Sequence, residues 1–164
     1  MAGYNYILPK TLDPDYVFAT DAINTEYSYT STSLDPSENI LKYRFLHTFK
    51  ADVEFYTNHF STGVSFKYFS RMINLDKAIE DFENATSSSG GTLQPVLYMD
   101  YFNNHNNGQT IIDLRVAYEF KQHHKLSLIC NNLFNRWYSL RPLKAEQMRS
   151  IMLQYVLKLG EPDN

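Results

Sequence analysis

The sequence predicts an all-β fold, an antiparallel up-and-down meander of six strands. Three observations carry this reading. Several runs alternate apolar and polar residues with a period of two, because successive side chains of a strand point to opposite faces of a sheet. Connections between the runs alternate long, short, long, short, long. The polar parity of the runs carries full charges, where a sandwich strand usually shows Ser and Thr. The clearest case is 110–134. Here Ile112, Leu114, Val116, Tyr118 and Phe120 share one parity, and Asp113, Arg115, Ala117 and Glu119 the other. After KQHH the alternation resumes, with Leu126, Leu128, Cys130 and Phe134 against Lys125, Ser127 and Asn131. A wall with hydrocarbon on one side and water on the other needs such strands, and transmembrane β-barrels are built from them.

Taken in order, residues 2–8 form a short first strand with Ala2, Tyr4, Tyr6 and Leu8 on one parity, closed by Pro9. Residues 10–40, rich in Asp, Ser, Thr and Pro, read as a long polar loop. Its DPD and DPSEN clusters offer oxygen ligands for a calcium ion, and Pro-containing turns account for them as well. No metal set is assigned.

Residues 41–57 set Leu41, Tyr43, Phe45, Phe49, Ala51, Val53 and Phe55 against Lys42, Arg44, Lys50, Asp52 and Glu54. Residues 60–72 repeat the scheme, with Phe60, Val64, Phe66, Tyr68 and Met72 against Ser61, Gly63, Ser65, Lys67 and Arg71. The apolar parity is odd before Asn58-His59 and even after it, so the faces match only across a turn of two or four residues. Within 110–134 both apolar sets are even, which calls for three or five. In the two-residue register Lys50 faces Lys67, a like-charge pair that needs an acid from Asp52 or another strand.

Residues 73–109 are a second long excursion. Leu75, Ala78, Ile79 and Phe82 follow helical spacing after Asn74, the expected N-cap, while SSSGG and NNHNNG read as loop. Residues 136–147 form a third loop. The last strand, 148–159, turns Ile151, Leu153, Tyr155, Leu157 and Leu159 one way and Ser150, Gln154 and Lys158 the other. GEPDN at 160–164 is a polar tail.

The length of 164 residues suits one domain, and a net charge of -3 gives no sign of a nucleic-acid surface. The 13 Tyr and 11 Phe suit surfaces that are half wet and half apolar, in membrane girdles and in many soluble β-proteins alike. Cys130 stands alone, so it forms no intrachain disulfide and reads as a small apolar residue. No run of about 18 apolar residues exists, so a transmembrane helix is not expected. The N-terminus, MAGYNYILPK, has no basic region, apolar core or small-residue cleavage site. An exported barrel needs a signal peptide, so Met1 is expected to start partway through a longer protein.

Several phrases then point to a family. AGYNY opens the chain, LKYRFLHTFKAD stands at 41–52 and DLRVAYEF at 113–120. NNLFNRWY follows at 131–138, then Arg141-Pro142 and the strand MRSIMLQYVLKL. In this order they resemble the C-terminal barrel strands of TonB-dependent outer-membrane receptors, especially those of Bacteroidetes, over nearly the whole chain. The resemblance implies residues 1–159 as the C-terminal part of a barrel of about 22 strands around a plugged lumen. It implies active uptake of a siderophore, cobalamin or oligosaccharide across the outer membrane of a Gram-negative bacterium. The partners it implies are outer-membrane lipid, the remaining barrel strands, an N-terminal plug and a periplasmic TonB-type coupling protein. No cofactor is implied. The chain departs from the family at its end, where Leu159 stands in place of an aromatic and GEPDN follows.

On this reading Lys42, Arg44, Lys50, Asp52, Glu54, Lys67, Arg71, Asp113, Arg115 and Glu119 face the lumen or the plug. Girdle aromatics fall at two levels. Phe55, Phe60, Tyr118 and Phe120 lie near the tight turns; Tyr43, Tyr68, Phe134, Trp137 and Tyr138 lie near the long loops. His59, His123 and His124 are expected in solvated turns. The lumen carboxylates include pairs able in principle to act as acid and base, but strand-borne charges explain them without catalysis, and no enzyme is expected. The alternative is a soluble β-sandwich binding module whose apolar parity faces a partner sheet.

Overall fold

The computed structural model describes residues 1–88, 97–120 and 123–158. In chain order the elements begin with β1 (Ala2–Tyr6), the short pair β2 (Ala19–Thr20) and β3 (Glu26–Tyr27), and a helical turn α1 (Tyr29–Thr32). There follow β4 (His47–Thr57), β5 (Phe60–Phe69), α2 (Lys77–Ser88), α3 (Tyr98–His105), β6 (Gln109–Phe120), β7 (His124–Asn131) and β8 (Ser150–Leu157). Six of the strands form one antiparallel sheet in the order β1-β4-β5-β6-β7-β8, and it is open rather than closed into a barrel. The up-and-down meander is as expected, with long loops at one end and tight turns at the other.

Both turn lengths follow the parity argument. Thr57 pairs with Phe60 across Asn58-His59, and Asn58 adopts the left-handed conformation (φ 48°) that such turns need and Asn tolerates. Phe120 pairs with His124, which leaves three residues between them. Lys50 does stand opposite Lys67.

The structure corrects several boundaries, among them the first strand, which ends at Tyr6, and the last, which begins at Ser150. β4 begins at His47 rather than at residue 41, because Tyr43 takes a left-handed backbone (φ 64°) and gives its N–H to the Asn74 carbonyl at 2.9 Å. Lys42 and Arg44 therefore precede the sheet. β5 ends at Phe69, before Arg71 and Met72. Residues 98–105, partly read as the NNHNNG loop, are helix α3, whose Tyr98, Tyr101, Phe102 and His105 rings stack at helical spacing. The expected short helix is present as α2, but the Asp76 carboxylate receives the Ala78 N–H in its first turn, not Asn74. Leu159, the tail and most of SSSGG lie outside the described residues.

Burial in the sheet is opposite to that of a sheet folded in water. On the apolar parity Val53 is 48% exposed, Phe55 66%, Leu128 49% and Leu153 72%. On the other parity Ser65, Asp113, Ala117 and Ser127 are buried. A soluble antiparallel sheet packs its apolar face and solvates the polar one. Among the described residues no second sheet and no helix packs on the apolar face; the strands' substantial contacts are with their neighbours in the sheet.

The apolar core lies elsewhere, between the two longest loops. Leu75 and Asn74 are the most deeply buried side chains, with Ile40 and Met72 beside them in burial. Asn74 acts as a polar hub. Its Oδ1 accepts the Asp35 N–H at 3.1 Å, while its Nδ2 donates to the Tyr29 hydroxyl at 2.8 Å and the Ile40 carbonyl at 2.9 Å. Leu34 N–H reaches the Leu75 carbonyl at 3.0 Å, and the side chain of Asn106 bonds both the N–H and the carbonyl of Met72. A buried amide with every group satisfied fixes the loops that surround it. Replacing it leaves buried donors and acceptors unpaired. Asn74→Ala is expected to cost about 2–4 kcal/mol, read as faster hydrogen exchange at the Asp35 and Tyr43 amides while the sheet amides keep their protection.

Candidate functional site

The charged row is assembled by register. Asp52 on β4, Ser65 on β5 and Asp113 on β6 share one rung, since Asp52 pairs with Ser65 and Ser65 with Asp113. The next rung holds Glu54, Gly63 and Arg115. Arg115 reaches back across β5 to Asp52, with Nη2 at 2.8 and 3.1 Å from the two carboxylate oxygens, and Ser65 Oγ donates to the same carboxylate. Gly63 makes that crossing possible: a Cβ there would stand 3.0 Å from Arg115 Nη2. A glycine inside a strand here marks a close approach.

Lys67 donates to Asp113 Oδ2 at 2.8 Å, so an acid from a third strand relieves the Lys50–Lys67 opposition. Asp113 Oδ1 also accepts the Asn132 N–H at 2.8 Å. Asn132, φ 50° and buried, belongs to the NNLFN phrase; its side chain bonds Arg136 and the Gln147 carbonyl, drawing together the foot of the third loop. Asn135 Oδ1 takes the Arg149 N–H at 3.0 Å beside it. At the tight-turn end Glu119 bridges to Lys158 at 2.6 Å.

Not every expected lumen residue joins this row. Lys42 instead bonds Thr32 at 2.7 Å and Asp76 at 3.1 Å, tying the first loop to the second. Arg44 and Arg71 are exposed and lie outside the strands, and Glu54 and Lys50 are exposed on the sheet.

The girdle aromatics divide in the same way. At the tight-turn end the rings run in sequence from His59 to Tyr118, Phe120, His124 and Tyr155, with centroids 5.2–6.4 Å apart. His124 Nδ1 and the Tyr155 hydroxyl are hydrogen-bonded at 2.6 Å. His124 is thus the first residue of β7 and part of the aromatic file, not of a solvated turn. At the long-loop end Tyr4 bonds His47 in the same manner at 2.6 Å, and the Tyr6 ring lies 4.9 Å from the same imidazole. His47, Tyr4, Tyr6 and Tyr155 stand outside the expected girdle, although each shares the apolar parity of its strand.

Four of the expected girdle residues sit elsewhere. Tyr138 stands near Lys67, Asp113 and Glu146; burial, and then the Glu146 charge, push its phenol above the ordinary range. Trp137 lines a small hollow with Phe102 and His105, and Tyr43 lies beside Asp76. Phe134 is exposed beyond the end of β7.

Tyr43 also opens onto a cleft of about 1160 Å³ at the long-loop end. The segment before β4 forms one wall, α2 and Tyr98 a second, and residues 140–143 a third. Burial, and then the Asp76 charge, raise the Tyr43 phenol. Burial raises that of Tyr98, against the opposing pull of a hydrogen bond from the Leu143 backbone. Both stay protonated at neutral pH.

Comparison with protein-family models, characterised proteins and solved structures gave no match.

Two substitutions test the charged row. Asp113→Ala removes the partner of Lys67 and the acceptor of a buried N–H together, and is expected to cost about 2–3 kcal/mol. Lys67→Gln should cost less than about 1 kcal/mol, because that side chain is partly solvated and loses only a screened pair. Denaturant unfolding of the two variants side by side checks the order; equal costs would show that the Asn132 contact contributes nothing.

Proposed function

We propose that the chain is the C-terminal wall of an outer-membrane β-barrel of the TonB-dependent receptor class, serving active uptake of a scarce nutrient. The observation that carries this reading is the burial of the sheet: the oily parity is left uncovered, while the opposite face holds the ionised side chains, with Asp113 buried among them. Lipid tails suit the first face, and a hydrated interior occupied by plug residues suits the second.

Dimensions support it. The 12 residues of β6, at about 3.3 Å each and a tilt of about 40°, rise roughly 30 Å, enough for an apolar band about 25 Å tall. Tyr–His pairs border the band at both ends, where amphipathic rings meet headgroups. The described helices include none long and apolar enough to cross a membrane, which leaves strands as the spanning elements of this reading. The NNLFN phrase, the most specific part of the resemblance, has a physical role here as the Asn132 anchor of the third loop.

In this arrangement the lumen row gives the plug alternating charges to dock against, and the three long loops face the outside. A periplasmic TonB-type protein would supply the pull through parts of the receptor N-terminal to this segment.

The reading is tested on bacterial membranes. A urea wash should leave the protein in the pellet until detergent is added; release into the wash overturns the reading. Leu128→Arg gives a second measure. At a lipid-facing position near mid-bilayer it should cost about 2–4 kcal/mol in vesicles, whereas at a water-exposed site it would fall within about 0.5 kcal/mol.

A further inference from the structure

The long-loop cleft has a chemical bias of its own. Its lining is mainly apolar, with Ile7, Ile79, Phe82, Leu140 and Leu143 among the lining residues, and its volume is somewhat above the usual small-molecule range of about 300–1,000 Å³. Five charged side chains join them, and three are already engaged. Lys42 and Asp76 bridge at 3.1 Å, and the Glu83 carboxylate accepts the Met99 N–H at 2.9 Å. Arg44 and Arg141 line the same cleft, and among the described residues neither guanidinium has a hydrogen-bonded or ionic partner. An unpaired guanidinium presents a planar fork of donors that matches an oxyanion.

Backbone strain points to the same place. Among the described residues seven non-glycine positions have positive φ, and five are Asn, which tolerates it. The other two are Tyr43 (φ 64°) and Leu143 (φ 59°), bulky residues for which this conformation is costly, and both line the cleft. Strain of this kind collects where surrounding contacts hold a functional shape. The contacts are present: Asn74 receives the Tyr43 N–H, and the Leu143 backbone bonds the Tyr98 phenol.

We propose that this cleft binds a small ligand carrying an oxyanion on an apolar, ring-bearing body. Arg44 and Arg141 hold the oxyanion, and Phe82 and Tyr98 flank the body. As the substrate class of a transporter the proposal rests on the membrane reading above; as a binding site it rests on the cleft alone.

The test uses 2-naphthoate as probe and neutral 2-naphthalenemethanol as its control, titrated calorimetrically into the full-length protein in detergent, with a detergent blank subtracted. The wild-type protein should bind the carboxylate roughly ten-fold or more tightly than the alcohol. Arg44→Gln and Arg141→Gln should each remove most of that preference, and Arg44→Lys, which keeps charge but loses the fork, should lie between. Arg71→Gln, outside the cleft, should bind as wild type does. Equal affinity for the two probes, no saturable binding, or an equal loss in Arg71→Gln overturns the site. The comparison of two probes on the unaltered protein does not depend on any variant folding. Recovery of the protein from the urea wash would instead sink the membrane reading, and the titration would then run in buffer.

Discussion

Asp113 receives two donors at once, the Lys67 ammonium from β5 and the Asn132 N–H from the end of β7. This double acceptance fixes more than one pair. It makes the Lys50–Lys67 rung tolerable, which allows the two-residue turn at Asn58-His59 and so the register of β4 on β5. It also pins the segment after β7, where Asn132 folds back over the foot of the third loop. A register slip of one residue would carry Asp113 to the oily side and leave both donors without it. The sheet's assignment of faces therefore depends on a single carboxylate held between a cation and a backbone amide.

Much of this framework was legible in the residues because the strand period is two and turn lengths obey parity. The alternation at 49–56 and 111–120 gave both faces, and the odd-to-even switch at Asn58-His59 gave the turn. What failed did so where tertiary bonds overrode pattern. Residues 41–46 alternate as well as any strand, yet Asn74 captures the Tyr43 N–H and the sheet starts later. Asn74 has the look of a helix cap, and the hub it forms draws on Tyr29, Asp35 and Ile40, all far from it in sequence. α3 had a signal, aromatics at 98, 101, 102 and 105, but the Asn-rich stretch beside it argued for loop. Tyr138 could not be placed on a face at all from a loop, where no period applies.

Lys42, Tyr43 and Arg44 show how one misread boundary changes chemistry. As strand residues they would be two lumen charges around a lipid-facing ring. As loop residues they bring an ion pair, a strained backbone and an unpaired guanidinium to the same cleft wall. The cleft wall thus lies in the stretch where tertiary bonds overrode the alternation. The two regions are mechanically distinct: the sheet is ordered by its ladder, the cleft by buried Asn amides that lock loop to loop.

The outer rim of β8 adds a consequence for handling the molecule. Ser150–Leu157 contains no charge, no proline and no bulge-forming glycine, and it borders the open sheet. Soluble folds blunt such borders, because exposed amides and carbonyls in a row template further chains. In plain buffer at high concentration that flank is the place where sideways pairing of copies would begin, and surfactant or a neighbouring strand laid along it would block the process.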